Sequence, residues 1–129
     1  MKKIFPFLIA ILFFSSNCIN NVEDLSEPVP VPEGVSYAND VQPIFNAQCT
    51  SCHGNFGGIS FVNYEATTSG NGNNYGASLI IAGDADNSGL IDKLSSNPQS
   101  GSQMPQGGSL TNDEIATIRA WINEGALDN

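Results

Sequence analysis

Cys49-Thr50-Ser51-Cys52-His53 is the stretch that decides how this 129-residue chain is read. Two thiols two residues apart, with a histidine directly after the second, have the spacing for covalent attachment of haem. The chemistry sets that spacing. Both sulfurs must reach the vinyl groups on one edge of the porphyrin, and the next imidazole must meet the iron from one face. Competing readings of the stretch lack partners. A structural zinc site takes four ligands, usually from two separated pairs. Here His53 is the single histidine, and the one other cysteine, Cys18, lies far upstream. A thioredoxin-like dithiol wants a βαβ setting, and the flanking sequence does not alternate in that way.

Upstream of the motif, a helix is predicted to begin at Asn39 or Asp40, either of which can act as its N-cap. Pro43 then falls in the first turn, where its missing N–H costs nothing. Val41, Ile44, Phe45 and Gln48 share one face of this helix, which runs into Cys49 and so fixes the angle at which the motif is presented. A second helix is predicted near the other end. Thr111 and Glu114 form a capping box, and Leu110 and Ile115 occupy the positions of a hydrophobic staple. Ile115, Ile118 and Ile122 form an apolar stripe with Trp121 beside it, and Gly125 suits the stop. The stripe is expected to pack across the first helix, with Trp121 as a packing anchor rather than an electron relay.

Between these helices the chain is rich in Gly and Asn. Gly57-Gly58 and Gly70-Asn-Gly-Asn-Asn74 mark loops, with a short helical turn expected over 63–68. Leu79-Ile80-Ile81 reads as an apolar run buried against the haem. Asp84-Ala-Asp-Asn-Ser-Gly89 opens like a calcium loop, but its twelfth position is Ser95 and not Glu. We read it as a loop from which Asn87 or Ser88 starts a short helix through Leu90, Ile91 and Leu94.

An iron bound by His53 keeps one axial position to fill. There is no second histidine. Once Met1 is removed with a leader, Met104 is the one methionine, and Lys93 the one lysine, of what remains. Gln103-Met104-Pro105 stands between Gly- and Ser-rich segments, on a loop rather than on an apolar helical face. Met104 is thus the candidate sixth ligand by elimination; the alternative is a methionine that packs on the haem edge.

The first residues read as a leader. Lys2 and Lys3 precede the apolar run 4–14, and 15–17 are small and polar, which fits a secretory signal too short for a membrane span. It ends at Cys18, placed as in a lipoprotein whose new N-terminal cysteine is acylated, although Ser15 stands where such signals prefer an aliphatic residue. Plain secretion would leave Cys18 as a free thiol or in an intermolecular disulfide. Lipidation also accounts for the odd cysteine count: two on haem and one on lipid. Covalent haem would staple an exported domain too small to rely on its core alone.

After Cys18 the chain reads as a tether to residue 35. Glu27-Pro-Val-Pro-Val-Pro-Glu-Gly34 cannot pack as helix. At ~3.1 Å per residue in an extended polyproline conformation, the whole tether 19–35 could lift the following domain by up to roughly 50 Å. The organisation is therefore 1–17 signal, 18–35 lipidated N-terminus and tether, and 36–129 the domain. Net charge is −9, and all thirteen acids follow Cys18, so loss of Lys2 and Lys3 takes it to −11. Nucleic acid and anionic membrane surfaces are poor partners for such a chain. The acidity serves solubility or steers the molecule to basic partner surfaces.

The segment from Val41 to Gly54, together with 81–91 and Met104-Pro-Gln-Gly-Gly-Ser-Leu-Thr111, resembles small bacterial class I-like mono-haem cytochrome c domains and is similar to the planctomycete-type domains. The resemblance spans roughly 36–127. It implies an all-α fold, with three to five short helices around one haem c. In that family a Met-Pro at this place supplies the sulfur ligand, and the loop after the motif wraps the haem edge near the propionates. It also implies single-electron transfer to redox partner proteins, outside the cytoplasm, on the periplasmic or cell-surface face of a membrane. For a Gram-negative lipoprotein, Ile19 in place of Asp favours the outer membrane. His/Met ligation would raise the potential relative to His/His and saturate the iron. No acid/base pair suggests an enzyme. Two other functions fit the same residues: a haem-based sensor or small-ligand-binding lipoprotein, and a haem subunit docked in a larger redox complex.

Overall fold

The computed structural model describes residues 34–54 and 58–129. The signal, Cys18 and all but the last residues of the tether lie outside the described residues. Among the described residues four short helices carry the fold: α1 Gln42–Gln48, α2 Tyr64–Ser69, α3 Gly89–Leu94 and α4 Asn112–Asn123, with a π-helical turn, Tyr37–Val41, leading into α1. Among the described residues there is no strand, only an isolated bridge between Gly72 and Gly76. The all-α expectation holds. No described helix is long and apolar enough to cross a membrane.

The start of the first helical segment differs from the expected Asn39 or Asp40. Ser36 is the N-cap: its hydroxyl accepts from the Asn39 N–H at 3.1 Å, and the Asp40 carboxylate accepts from the Ser36 N–H at 2.8 Å. Asn39 and Asp40 thus lie inside the first turn. That turn is wide, because the Val41 N–H reaches back five residues to the Ser36 carbonyl at 3.2 Å. Pro43 gives the reason. It has no N–H for the Asn39 carbonyl, and its ring crowds that group, so a regular α-turn is disfavoured here. The wider turn also brings Tyr37 inside, 2% exposed.

Tyr37 joins three elements. Its ring packs on Phe45 of α1 at 6.3 Å, on Tyr64 of α2 at 5.1 Å and on Trp121 of α4 at 5.2 Å between centroids. Its hydroxyl meets the buried Thr67 hydroxyl at 3.0 Å. Phe45 and Trp121 meet edge to face, 6.4 Å apart and 81° between planes. The first and last helices therefore pack as their apolar stripes require, and Val41, Phe45, Ile118 and Ile122 are fully buried.

Helix α4 is built as read. The Thr111 hydroxyl accepts from the Glu114 N–H, the Glu114 carboxylate accepts from the Thr111 N–H, and Leu110 and Ile115 pack against the core. At its end the Gly125 N–H bonds the Ile122 carbonyl and the Ala126 N–H bonds the Trp121 carbonyl, with Gly125 at φ 105°. This is a Schellman stop, and it needs the left-handed residue that glycine supplies. The tail beyond it returns to the first turn. Asn129 accepts from the Ser36 hydroxyl and from the Tyr37 and Ala38 N–H groups, and the Trp121 indole donates to the Leu127 carbonyl.

Ser88 stands at the N-cap of α3 but does not cap it with its side chain. Its buried hydroxyl donates to the Asp84 carbonyl at 2.8 Å and accepts from the Ile81 N–H at 2.8 Å, stitching loop 81–88 shut. The two Asp carboxylates of that loop diverge. Asp84 accepts from the Asn87 side chain and N–H, while Asp86 pairs with Arg119 of α4. Among the described residues no group of three or more His, Cys, Asp and Glu side chains is placed to hold a metal ion.

Candidate functional site

The turn after α1 builds one wall of the site. Cys49 is the C-cap of α1, with its N–H on the Phe45 carbonyl at 2.8 Å. The Cys52 and His53 N–H groups both return to the Cys49 carbonyl, at 3.1 and 2.8 Å. The coiling thus continues through the motif, and at this spacing side chains three and four residues apart share a face. Cys49, Cys52 and His53 accordingly line a single cavity of about 500 Å³, within the size range of cofactor sites.

Apolar side chains form much of the remaining lining: Ile59, Phe61, Leu79 and Leu90. Of the run Leu79-Ile80-Ile81, only Leu79 lines the cavity; Ile80 packs against the core from outside it. The His53 ring stands edge-on to Phe61, with centroids 5.8 Å apart and planes at 90°, and the Phe61 N–H donates to the His53 carbonyl at 2.9 Å. Another wall is the loop that carries Met104 and Pro105. It is held to the last turn of α3, where the Lys93 carbonyl accepts from the Met104 N–H at 2.8 Å.

The cavity thus brings together the four residues singled out within it, Cys49, Cys52, His53 and Met104. Its lining also includes residues that no sequence pattern could assign. Asn73, Asn74, Tyr75 and Lys93 are all part of the wall. The first three belong to the Gly/Asn-rich loop, which has no periodicity to say which side chains turn inward, and Lys93 entered only as a charge and as the single lysine left to weigh against Met104. Tyr75 is tied down by its hydroxyl, which donates to Asp92 of α3. Desolvation raises the Tyr75 phenol above its ordinary value, with the Asp92 bond acting in the same direction. The Tyr75 hydroxyl in turn holds the Asp92 carboxyl below the usual range, helped by the Gln99 N–H.

The donor set fits covalent haem. Both thiols are free rather than joined to each other. Burial pushes the Cys49 thiol up to about 11, with the Glu114 charge adding to it, so it stays protonated at neutral pH. The buried Nδ1 of His53 has no hydrogen-bond partner among the described residues. The imidazole packs edge-on against Phe61, and its Nδ1 is not committed to another polar group among the described residues. A thioether sulfur and an imidazole nitrogen on one mainly apolar cavity, with two thiols beside them, are groups that would hold a haem iron and attach its porphyrin covalently.

The Cytochrome c family model matches residues 38–126. No curated protein matches. Among solved structures, the hydrazine synthase of Kuenenia stuttgartiensis is similar, at 27% identity and a TM-score of 0.48, over 71% of this chain and 16% of that one.

Proposed function

The chain belongs to the cytochrome c family, and we propose that it is a membrane-tethered, extracytoplasmic carrier of single electrons whose iron is held by His53 and Met104. Domains of this family carry covalently attached haem and serve electron transfer. When bound, the group supplies an iron that cycles between ferric and ferrous states. The residues of this chain do the rest. Cys49 and Cys52 would anchor the porphyrin edge, His53 would supply the nitrogen ligand, and Met104 would supply the sulfur ligand from another loop of the cavity wall. Ile59, Phe61, Leu79 and Leu90 exclude water, which with a thioether ligand favours the reduced, less charged iron. The observation that carries this reading is that a single cavity collects the motif from one segment and Met104 from another. The tether and an acyl group on Cys18 would keep the carrier at a membrane surface, and its acidic surface would draw it to basic docking faces.

The test is an optical spectrum of the exported, haem-loaded protein, ferric and ferrous, with and without CO. A low-spin spectrum with the long-wavelength ferric band of a thioether ligand, and no response to CO, is the expected result. Met104→Ala should abolish that band and open the ferrous iron to CO. Rapid CO binding by the unaltered protein would instead assign the site to a small-ligand sensor. For the anchor, Cys18→Ser should move the protein from the membrane fraction to the soluble one; retention in membranes would sink the lipid assignment.

A further inference from the structure

We propose that Lys93 is the positioning residue for the sulfur ligand, holding the Met104 loop against the cavity with its side chain and its backbone together. This rests on the reading of Met104 as a ligand and adds what keeps that sulfur in place. Lys93 stands in the last turn of α3 and lines the cavity. Its ammonium donates to the Ser100 carbonyl at 2.5 Å and to the Ser102 carbonyl at 2.8 Å. Its own carbonyl accepts from the Met104 N–H at 2.8 Å. One residue thus makes three hydrogen bonds to the segment 100–104, two of them charge-assisted and so stronger than neutral ones.

The loop is shaped around the ammonium. Gly101, between the two accepting carbonyls, has φ 67°, and a Cβ there would lie 2.9 Å from the Lys93 Nζ. A side chain there would be strained by the positive φ and would push the amine away from its present place. Among the described residues the ammonium makes no ion pair; its charge acts on the neighbouring Asp92 carboxylate without direct contact. The loop has little else to hold it. Its segment 100–108 contains no helix or strand, and the Gln103 amide adds one longer bond, 3.3 Å, to the Leu94 carbonyl. A ligand on such a loop is only as fixed as its supports.

The experiment uses the haem-loaded protein and measures the affinity of the ferric form for added imidazole, which competes with Met104 for the iron. Apparent affinity scales with the fraction of molecules whose loop is detached. Lys93→Leu should tighten imidazole binding by about tenfold or more, equivalent to ~1.4 kcal/mol, and weaken the long-wavelength ferric band. Lys93→Arg retains a cation with several donors and should restore most of both. Gly101→Ala should act in the same direction as Lys93→Leu, and it carries the test if the leucine variant does not fold. Glu124→Gln, which disturbs the bond to the Val35 N–H far from the loop, controls for general loss of stability and should leave imidazole affinity unchanged. Unchanged affinity and band in Lys93→Leu, with Met104→Ala still altering the spectrum, would overturn the proposal alone. An unaltered spectrum in Met104→Ala would overturn the ligand reading and the proposal with it.

Discussion

The two ends of the domain and its middle are stabilised in different ways. The ends, from the first turn through α1 and from α4 to the tail, bury large apolar side chains against one another on helices with regular caps. The middle, from Gly58 to Gly108, has two six-residue helices and long loops; it adds Phe61, Leu79, Leu90, Ile91 and Leu94 to the same core, but its loops are closed by side-chain bonds to backbone groups: Ser88 on loop 81–88, Asp92 on the Gln99 N–H, Lys93 on the Met104 loop. The first kind of order is strong and tolerant of small displacements. The second is weaker bond by bond, but it places individual atoms, which a metal ligand requires. Cys49 and His53 lie at the seam between the two.

The comparison breaks first at Trp121. It is 1% exposed and packs on both Tyr37 and Phe45. Trp121→Ala should cost ~3–5 kcal/mol in guanidinium unfolding, because the cavity left between two helices cannot collapse. A loss below about 1 kcal/mol would mean that the covalent haem, and not the helix pair, carries the stability of the ends.

Ser88→Ala puts the same question to the middle. The hydroxyl is buried and serves both a carbonyl and an N–H. Its removal leaves those groups unpaired, at a cost of ~1–3 kcal/mol. Amide exchange should show the opening concentrated in 81–95, with α1 and α4 still protected. Uniform loss of protection would make the two regions one cooperative unit.

What the sequence made legible follows the same division. The capping box at Thr111 and Glu114, the staple, the Ile stripe and the glycine stop are local patterns with a fixed period, and they could be read without knowing the fold. Ser36 was missed as the helix start because Ser36, Asn39 and Asp40 all have capping side chains. Burial of Tyr37 and the bulk of Pro43, both matters of packing, decide among them. The motif residues and Met104 could be singled out because their chemistry is rare in this chain. Tyr75 could not be assigned to the wall, since nothing local fixes how an aperiodic Gly/Asn-rich loop folds over a cavity; Lys93 could not, because its place on the short helix α3 does not say which distant carbonyls its long side chain reaches. The hydroxyl of Ser88 is the intermediate case: its position before α3 was readable, but its role in the loop behind it was not.

Thr111→Ala should have a smaller effect, about 1 kcal/mol, as expected for loss of an N-cap. It also tests the electrostatics of that end. The Thr111 backbone N–H and hydroxyl hold the Glu114 carboxyl below its ordinary 4.5. A carboxyl whose folded value is depressed stabilises the fold above its unfolded value, and that contribution disappears as pH falls through the folded one. Stability should therefore decline below about pH 4.5 in the parent, and less steeply in Thr111→Ala. Identical acid slopes in the two proteins would show that the capping box holds by geometry alone.

The smallest effect is expected at Asp92, where the middle of the molecule has its own titrating support. The Tyr75 hydroxyl, the Gln99 N–H and Lys93 all favour the charged carboxylate and lower it from 3.8. The same sign applies: the contribution is complete above pH 3.8 and is lost as pH falls from there through the lower folded value. The group is only half-buried, so solvent screening keeps the gain modest. Asp92→Asn should leave stability at pH 7 only slightly reduced and flatten the acid limb below pH 3.8. Its more telling readout is local. Asp92 ties Tyr75, on the cavity wall, to the segment that leads into the Met104 loop. If the middle is fastened bond by bond, Asp92→Asn should speed amide exchange at Gln99 and leave Trp121 and its neighbours unchanged. Faster exchange throughout α4 would instead show that the cavity wall and the helix pair share one barrier to opening.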